Sequence, residues 1–194
     1  MRPAKLFGDG QAGLKLAQVH PHLALAFPDL GIERFDAAAL AGVDLVFAAL
    51  PHGQSQKIAP VILERGIPYD DHGADYRHDD AEAYERWYKE PHAAPELLGR
   101  FVYGIPELNR DAIAASKAVA AAGCYPTSAI LALWPLIELI KPGTIVVDAY
   151  SGVSGAGKAL KEETQFNTVD ENLTAYGLLS HRHTAEMEMA LAQT

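Results

Sequence analysis

The sequence predicts an α/β protein built around a mainly parallel sheet. Short apolar runs typical of buried strands alternate along the chain with longer stretches of helical periodicity. Such alternation favours parallel strands joined by crossover helices. Hydrophobic residues make up 49% of the 194 residues and charged residues 21%, which is typical of a globular protein and argues against a disordered or coiled-coil chain.

The first half of the chain predicts two strands and two helices. Residues 43–50 form an apolar run that Pro51 ends, as expected of a buried strand. Apolar residues at helical spacing predict a helix over 53–65. Residues 67–71 are predicted to form a second short strand, and residues 79–89 an aromatic and charged helix.

The second half continues the alternation. Residues 103–110 are predicted to be an ordered loop, and residues 117–122 a third strand. A long apolar helix is expected over 124–140, with a proline in its first turn, where proline is favoured. Residues 144–149 give the clearest strand pattern of the chain, and residues 184–193 a last helix.

The charge balance is acidic, with 16 Lys and Arg against 25 Asp and Glu, a net charge of −9. A nucleic-acid-binding protein usually carries a basic surplus, so that class is disfavoured, and an anionic substrate would have to be held by a few local cations. The longest apolar run, 129–140, is shorter than the roughly 20 residues of a membrane span. With one cysteine and no visible signal peptide, the chain is expected to be cytoplasmic and to bind no structural metal.

A glycine pattern near the start, Gly8-Asp9-Gly10-Gln11-Ala12-Gly13, matches G-x-G-x-x-G. In a dinucleotide-binding turn these glycines allow the backbone to approach a pyrophosphate at the start of a helix. The pattern needs a preceding strand and a following helix, and here both would be short. A glycine-rich surface turn is the alternative interpretation.

Cys124 is the first candidate catalytic residue. It lies where a predicted strand ends and a predicted helix begins, and sites in parallel α/β sheets gather at the carboxyl ends of strands. A helix N-terminus favours the thiolate form of a cysteine, so we expect Cys124 to be the group most prone to alkylation. The alternative is a small buried cysteine without chemistry.

His181 and His183 are the candidate bases for this thiol, because a thiolate–imidazolium pair keeps a cysteine reactive near neutral pH. The alternative is a pair of solvated histidines that cap the last helix. The glycine-rich segment 151–158 suits contact with an anion, or else a flexible connector. Arg77 could hold a carboxylate or phosphate, or else pair with a neighbouring Asp75 or Asp79.

Taken together, six segments resemble the N-acetyl-gamma-glutamyl-phosphate reductase family, which is related to aspartate-semialdehyde dehydrogenase. They occur in the family's order and at roughly its spacing, from about Ala12 to the end. The segments are Ala49-Leu50-Pro51-His52-Gly53, Gly73-Ala74-Asp75-Tyr76-Arg77, Tyr103-Gly104-Ile105-Pro106-Glu107-Leu108, Gly123-Cys124-Tyr125-Pro126-Thr127, Ser151-Gly152-Val153-Ser154-Gly155-Ala156-Gly157-Lys158 and His181-Arg182-His183-Thr184-Ala185-Glu186.

The resemblance implies NADPH-dependent reduction of N-acetyl-glutamyl 5-phosphate to the semialdehyde in arginine biosynthesis, through a thioester on Cys124. It implies His181, or as second choice His183, as the acid–base group. The other site residues that it implies bind substrate (Arg77, Ser151, Arg182) or cofactor (Pro51, His52, Ser154, Gly155). The partners implied are the acyl phosphate, inorganic phosphate and further copies of the chain in a homo-oligomer.

The family also implies a Rossmann-like cofactor domain, here expected to be partial over 1–123, and a catalytic and dimerisation domain of α+β type, expected to be partial over 124–194. The family's N-terminal nucleotide-binding unit and its C-terminal part are not found in the sequence. Leu179-Ser180 stands where the family commonly has glycines, which is expected to shift the histidines. An inactive remnant, an interaction module and a small cysteine-dependent acyl hydrolase remain as alternatives.

Overall fold

The computed structural model describes residues 1–141, 143–157 and 159–192. Its centre is a four-stranded parallel sheet with the strand order β1–β2–β4–β3, which confirms the predicted α/β class. All the strands run in one direction, so their carboxyl ends lie along one edge of the sheet. The strands are β1 (Val46–Ala48), β2 (Tyr69–Asp71), β3 (Val102–Gly104) and β4 (Ala118–Ala121).

Helices connect and flank the strands. Those over 55–64, 81–88 and 182–192 confirm three predicted helices, although the predicted last residue, Gln193, lies outside the described part of the chain. None of the helices among the described residues is both long and apolar enough to cross a bilayer. The α-helices are α1 (Leu16–Val19), α2 (Ser55–Glu64), α3 (Ala81–Tyr88), α4 (Pro106–Ala115), α5 (Cys124–Leu133), α6 (Phe166–Val169) and α7 (Arg182–Ala192).

The main core lies on one face of the sheet. Strand residues alternate between the two faces, and Ala48, Tyr69 and Ala120 are buried on the same side. Ala59 and Ile62 of α2 are fully buried within the same cluster. The amphipathic face of α2 is therefore held by the burial of apolar side chains against the sheet, as in other crossover helices.

The glycine pattern at residues 8–13 forms a loop around the segment 30–33. Gly8 N donates to Glu33 O at 2.9 Å on one side, and Gly13 N donates to Ile32 O at 2.8 Å on the other. A Cβ added at Gly10 would meet nothing within 4 Å, and α1, four residues long, begins only at Leu16. The structure therefore favours the surface-turn interpretation over a dinucleotide-binding turn, which needs a sheet strand before it and a full helix after it.

Three predicted elements differ in the structure. Residues 144–149 form no strand, and Val146 is 90% exposed, because no segment in the described part of the chain pairs with them to complete a hydrogen-bonded ladder. Residues 103–110 contain the end of β3 and the start of α4 instead of a loop, since a three-residue strand is too short to show a period. The helix predicted over 124–140 is α-helical only to Leu133 and then continues as a 3₁₀-helix, because Pro135 lacks the N–H that an α-helix interior requires.

Leu179 adopts a left-handed backbone conformation, with φ of +55°, and its side chain is fully exposed. The family commonly has glycine here, and glycine adopts positive φ without the steric cost that a Cβ adds. The departure that we noted at Leu179-Ser180 therefore places a leucine in a backbone conformation suited to glycine, two residues before His181.

Candidate active site

The site lies at the carboxyl edge of the sheet, where three loops follow neighbouring strands. Pro51 and His52 follow β1, Arg77 belongs to the loop after β2, and Gly123 and Cys124 follow β4. Residues on these loops approach each other because parallel strands end at the same edge. Helix α7 packs against α5 and α3, and so brings the segment that contains His181 and His183 to this edge.

Cys124 is the first residue of α5, and its side chain is exposed. The turn that presents it depends on Gly123. A Cβ added at Gly123 would lie 2.6 Å from Nε2 of His183 and 2.9 Å from Nη1 of Arg77, distances that real Cβ atoms do not show. Only glycine therefore lets the imidazole and the guanidinium pack directly on the backbone beside Cys124.

His183 lies in the first turn of α7 with Nε2 against Gly123, while Nδ1 is buried without a hydrogen-bond partner among the described residues. Burial lowers the pKa of His183 because it disfavours the charged ring, while the Glu186 carboxylate opposes this and the Arg77 guanidinium adds to it. The imidazole is therefore neutral at neutral pH and able to accept a proton.

His181 has a different local role. Its Nδ1 accepts the backbone N–H of His183 at 3.2 Å, so it caps the start of α7. Its ring contacts the rings of Tyr125 and Tyr176, and burial followed by the charge of Arg182 lowers its pKa. Of the two histidines, His181 therefore takes the helix-capping position that we named as the alternative, although its ring is partly buried.

Glu186 is a buried carboxylate. It belongs to the segment 181–186 that we quoted from the sequence, but we assigned it no role there. Its side chain is 1% exposed, and its Oε1 accepts the backbone N–H of Gly123 at 2.7 Å and the hydroxyl of Tyr103 at 2.8 Å. Its Oε2 lies 3.3 Å from Nη1 of Arg77. The sequence signal was its position three residues after His183, which places both side chains on one face of a helix.

Arg77 is more enclosed than predicted. It pairs with Glu186 rather than with Asp75 or Asp79, so that part of the prediction is wrong. Nε donates to Ala121 O at 2.9 Å and Nη2 to His72 O at 3.3 Å, and the side chain is 9% exposed. Substrate binding by Arg77 stays a prediction, with two of its five N–H donors outside these three bonds.

Arg182, the other predicted cation, lies at the start of α7. Its guanidinium carbon sits 5.1 Å from the ring centroid of Tyr88. The residue as a whole is exposed, so Arg182 remains accessible from solvent at the edge of the site. Its predicted contact with substrate is untested.

The turn after β1 is tied to one buried acid, Asp75, and one exposed acid, Glu90. Nδ1 of His52 lies 2.9 Å from Oδ1 of Asp75, and Nε2 lies 2.9 Å from Oε1 of Glu90. The Asp75 carboxylate also accepts the backbone N–H groups of Gly53, at 2.8 Å, and Ser55, at 3.0 Å. The N-terminus of α2, which could otherwise bind a phosphate, is therefore already occupied by a side-chain carboxylate.

The segment 151–157 is exposed throughout. Burial and a hydrogen bond to Tyr125 raise the pKa of Tyr176 to about 12, while a hydrogen bond with Ser151 lowers it and the nearby Cys124 raises it. Ser154 and Gly155 belong to an exposed 3₁₀-helix, Val153–Ala156, and Lys158 lies outside the described residues. Ser151 and Cys124 thus share Tyr176 as a neighbour, whereas Ser154 and Gly155 are exposed to solvent.

Comparisons with known proteins give two family matches and a group of curated relatives. Residues 1–116 match the NAD binding domain of semialdehyde dehydrogenases, and residues 124–194 match the semialdehyde dehydrogenase dimerisation domain. Proteins named N-acetyl-gamma-glutamyl-phosphate reductase from Desulforudis audaxviator, Halothermothrix orenii and Ectopseudomonas mendocina are 48%, 46% and 41% identical over 91%, 89% and 93% of this chain. The aligned parts are 51%, 50% and 53% of those proteins, so the chain spans about half the length of these curated relatives.

Proposed function

Because the chain belongs to the semialdehyde dehydrogenase family, we propose that its site serves the reduction of an acyl phosphate to a semialdehyde, with Cys124 as the nucleophile. The name shared by the relatives makes N-acetyl-gamma-glutamyl phosphate the proposed substrate, with arginine biosynthesis as the pathway. The observation that carries the proposal is the packing of the His183 imidazole on Gly123, directly beside an exposed thiol at the start of α5.

The first half of the reaction is an acyl transfer. The Cys124 thiolate attacks the carbonyl carbon of the acyl phosphate, a C–S bond forms, and the C–O bond to phosphate breaks to release inorganic phosphate. The backbone N–H groups of Cys124 and Tyr125, which have no acceptor within the first turn of α5, are the donors that would stabilise the developing oxyanion. Arg77, Arg182 and Ser151 are the proposed substrate-binding residues. Arg77 packs on Gly123 beside Cys124, Arg182 lies exposed at the start of α7, and Ser151 shares Tyr176 as a neighbour with Cys124.

We assign the acid–base role to His183 in preference to His181. Nδ1 of His181 accepts a backbone N–H, so the neutral ring carries its proton on Nε2 and offers no free lone pair there. His183 presents Nε2 to the Cys124 turn and is kept neutral by burial, as a proton acceptor must be. At a pH below the lowered pKa of His183, the ring is protonated and can no longer accept a proton. Acylation is therefore expected to fail at acidic pH.

NADPH is the proposed reductant: when bound, it supplies the hydride that, with one proton, converts the thioester to the aldehyde and the free thiol. Pro51, His52, Ser154 and Gly155 are the residues that we propose lie beside it. Within the described residues the pyrophosphate does not fit the N-terminus of α2, because the Asp75 carboxylate already accepts its N–H groups.

The proposal extends to organisation. We propose that residues 1–123 belong to the cofactor domain and residues 124–194 to the catalytic domain, and that the protein works as a homo-oligomer. The boundary is supported by the gap between the two family matches, and oligomerisation by the description of the second as a dimerisation domain.

The test uses the acyl phosphate alone. The chain is mixed with N-acetyl-gamma-glutamyl phosphate without nucleotide, and its intact mass is measured. We expect a single acyl adduct that hydroxylamine removes, no adduct with Cys124→Ser, and a slower adduct with His183→Asn. Absence of any adduct in the unaltered chain would support the inactive remnant, and continuous release of free acid would support the acyl hydrolase.

A further inference from the structure

Tyr103 reaches from the sheet to the helix that carries the histidines. It is the central residue of β3, paired in register with Ala120 of β4. Its hydroxyl donates to Oε1 of Glu186 on α7 at 2.8 Å. A single side chain thus connects the edge strand to the helix that places His183 on the Cys124 turn.

The carboxylate that Tyr103 holds is shared with the backbone of that turn. The same Oε1 of Glu186 accepts the N–H of Gly123, while Oε2 faces Arg77. A buried carboxylate is stable only when several donors surround it, and hydrogen bonds to a charged acceptor are stronger than those between neutral groups. The Glu186 carboxylate is therefore bound by three donors: Tyr103 of β3, Gly123 after β4 and Arg77 after β2.

The Tyr103 hydroxyl remains protonated, and so a donor, at neutral pH. Burial raises the pKa of Tyr103, and the neighbouring negative charge of Glu186 raises it further, because both disfavour the phenolate. The hydrogen bond to Glu186 is therefore not lost through ionisation of the tyrosine.

We propose that Tyr103 is a positioning residue of the active site, which holds the Glu186 carboxylate against the Gly123 amide and so fixes the turn that presents Cys124. In calling this turn catalytic the inference rests on the proposed function. Tyr103 acts through Glu186 and needs no contact with the reacting atoms.

His183 gives this role a specific readout. Its ring is surrounded by the charged and titratable groups Glu186, His181, Arg77 and Arg182, and Glu186 is the group that raises its pKa. Removing the Tyr103 hydroxyl leaves the carboxylate with one donor fewer, so its charge acts more strongly on the ring. The titration midpoint of His183 should then rise toward the ordinary histidine value.

The test compares Tyr103→Phe with Tyr69→Phe. Both substitutions remove one hydrogen-bonded hydroxyl from a strand of the sheet, but the partner of Tyr69 is Ser55, away from the Cys124 turn. The chain has one cysteine, so the rate of iodoacetamide labelling reports Cys124 alone. Loosening the turn is expected to separate the thiol from the His183 imidazole, so labelling at pH 7.5 should slow about two- to tenfold in Tyr103→Phe.

In Tyr69→Phe the labelling rate and the His183 midpoint, followed by NMR, should stay as in the unaltered chain. Equal rates and equal midpoints in the two variants would overturn the proposal. A second measurement needs no variant: in the unaltered chain the Gly123 amide should exchange with solvent as slowly as the amides of β4, and fast exchange would also refute it. None of these measurements uses substrate or nucleotide, so they can fail or succeed independently of the acyl-adduct test.

Discussion

At the scale of single residues, the site depends on how closely side chains can approach a backbone. Gly123 is flanked by an imidazole and a guanidinium at distances that no Cβ tolerates, although its own backbone angles suit any residue. The requirement for glycine is therefore one of space around the residue and has nothing to do with backbone strain. This close packing places His183 and Arg77 next to the backbone that carries Cys124.

Gly123→Ala is expected to push His183 and Arg77 away and to cost about 1–3 kcal/mol in free energy of unfolding, as overpacking usually does. It should also slow the labelling of Cys124, because the turn can no longer keep its geometry. Urea unfolding and iodoacetamide kinetics measure the two effects.

Gly10→Ala is the matched control, because a Cβ there meets nothing within 4 Å. It should change the free energy of unfolding by less than about 0.5 kcal/mol. A loss of stability in Gly123→Ala no larger than in this control would contradict the packing that we describe.

At the scale of elements, two helices have their first N–H groups bound by a carboxylate, which is exposed at α3 and buried at α2. Asp80 caps α3 with its carboxylate on the N–H groups of Glu82 and Ala83, at the surface. Asp75 does the same for α2 from a distant part of the chain, and it is fully buried. The first cap is local and visible in sequence, whereas the second exists only because the loop after β2 folds over the start of α2.

We expect Asp75→Ala to destabilise the protein more than Asp80→Ala. Loss of the exposed cap should cost about 1 kcal/mol. Loss of the buried cap leaves several N–H groups without an acceptor inside the protein, at about 1–3 kcal/mol for each unsatisfied group. Urea unfolding of the two variants, with m-values that stay equal, measures both losses of unfolding free energy. Equal losses in the two variants would show that burial adds nothing to the Asp75 cap.

At the scale of the whole molecule, large apolar side chains between residues 146 and 179 are left uncovered. Leu160 and Leu179 are fully exposed, and Phe166 and Leu178 are about three-quarters exposed. The opposite face of the sheet also exposes Phe47. Where exposed apolar side chains form a patch, the patch commonly marks a contact with another protein.

The chain studied alone is therefore expected to self-associate and to bind a hydrophobic dye such as ANS. Sedimentation velocity over a range of protein concentrations would show an average mass that rises with concentration. Leu160→Lys together with Leu178→Lys should lower the association, whereas Leu14→Lys, at a half-exposed position outside this segment, serves as the control. A monomer at all concentrations that does not bind the dye would contradict this expectation.

Local sequence patterns predicted much of the central fold. Three of the four strands and the helices α2, α3 and α7 were expected near their observed positions, since apolar periodicity and terminating prolines act within a few residues. The order of family motifs also pointed to Cys124, His181 and His183 as one site. Helix α7 does bring the two histidines to the start of α5.

Other features depended on neighbours that are distant in sequence. Residues 144–149 have the composition of a strand, but a strand forms only where a second strand satisfies its backbone groups. The roles of Glu186 and Tyr103 could not be predicted, because each exists through a contact across more than 60 residues of chain. Propensity is a property of a short segment, and a buried hydrogen bond is a property of the packed molecule.

The sequence by itself thus determined the α/β class, the helix that begins at Cys124, and the motifs that mark the family. Tertiary structure alone decided which histidine packs on the Gly123 backbone, that Arg77 pairs with Glu186, and that Asp75 occupies the start of α2. The reason is physical: periodicity and capping are set by residues a few positions apart, whereas the partner of a buried charge is chosen by whichever elements the fold brings together.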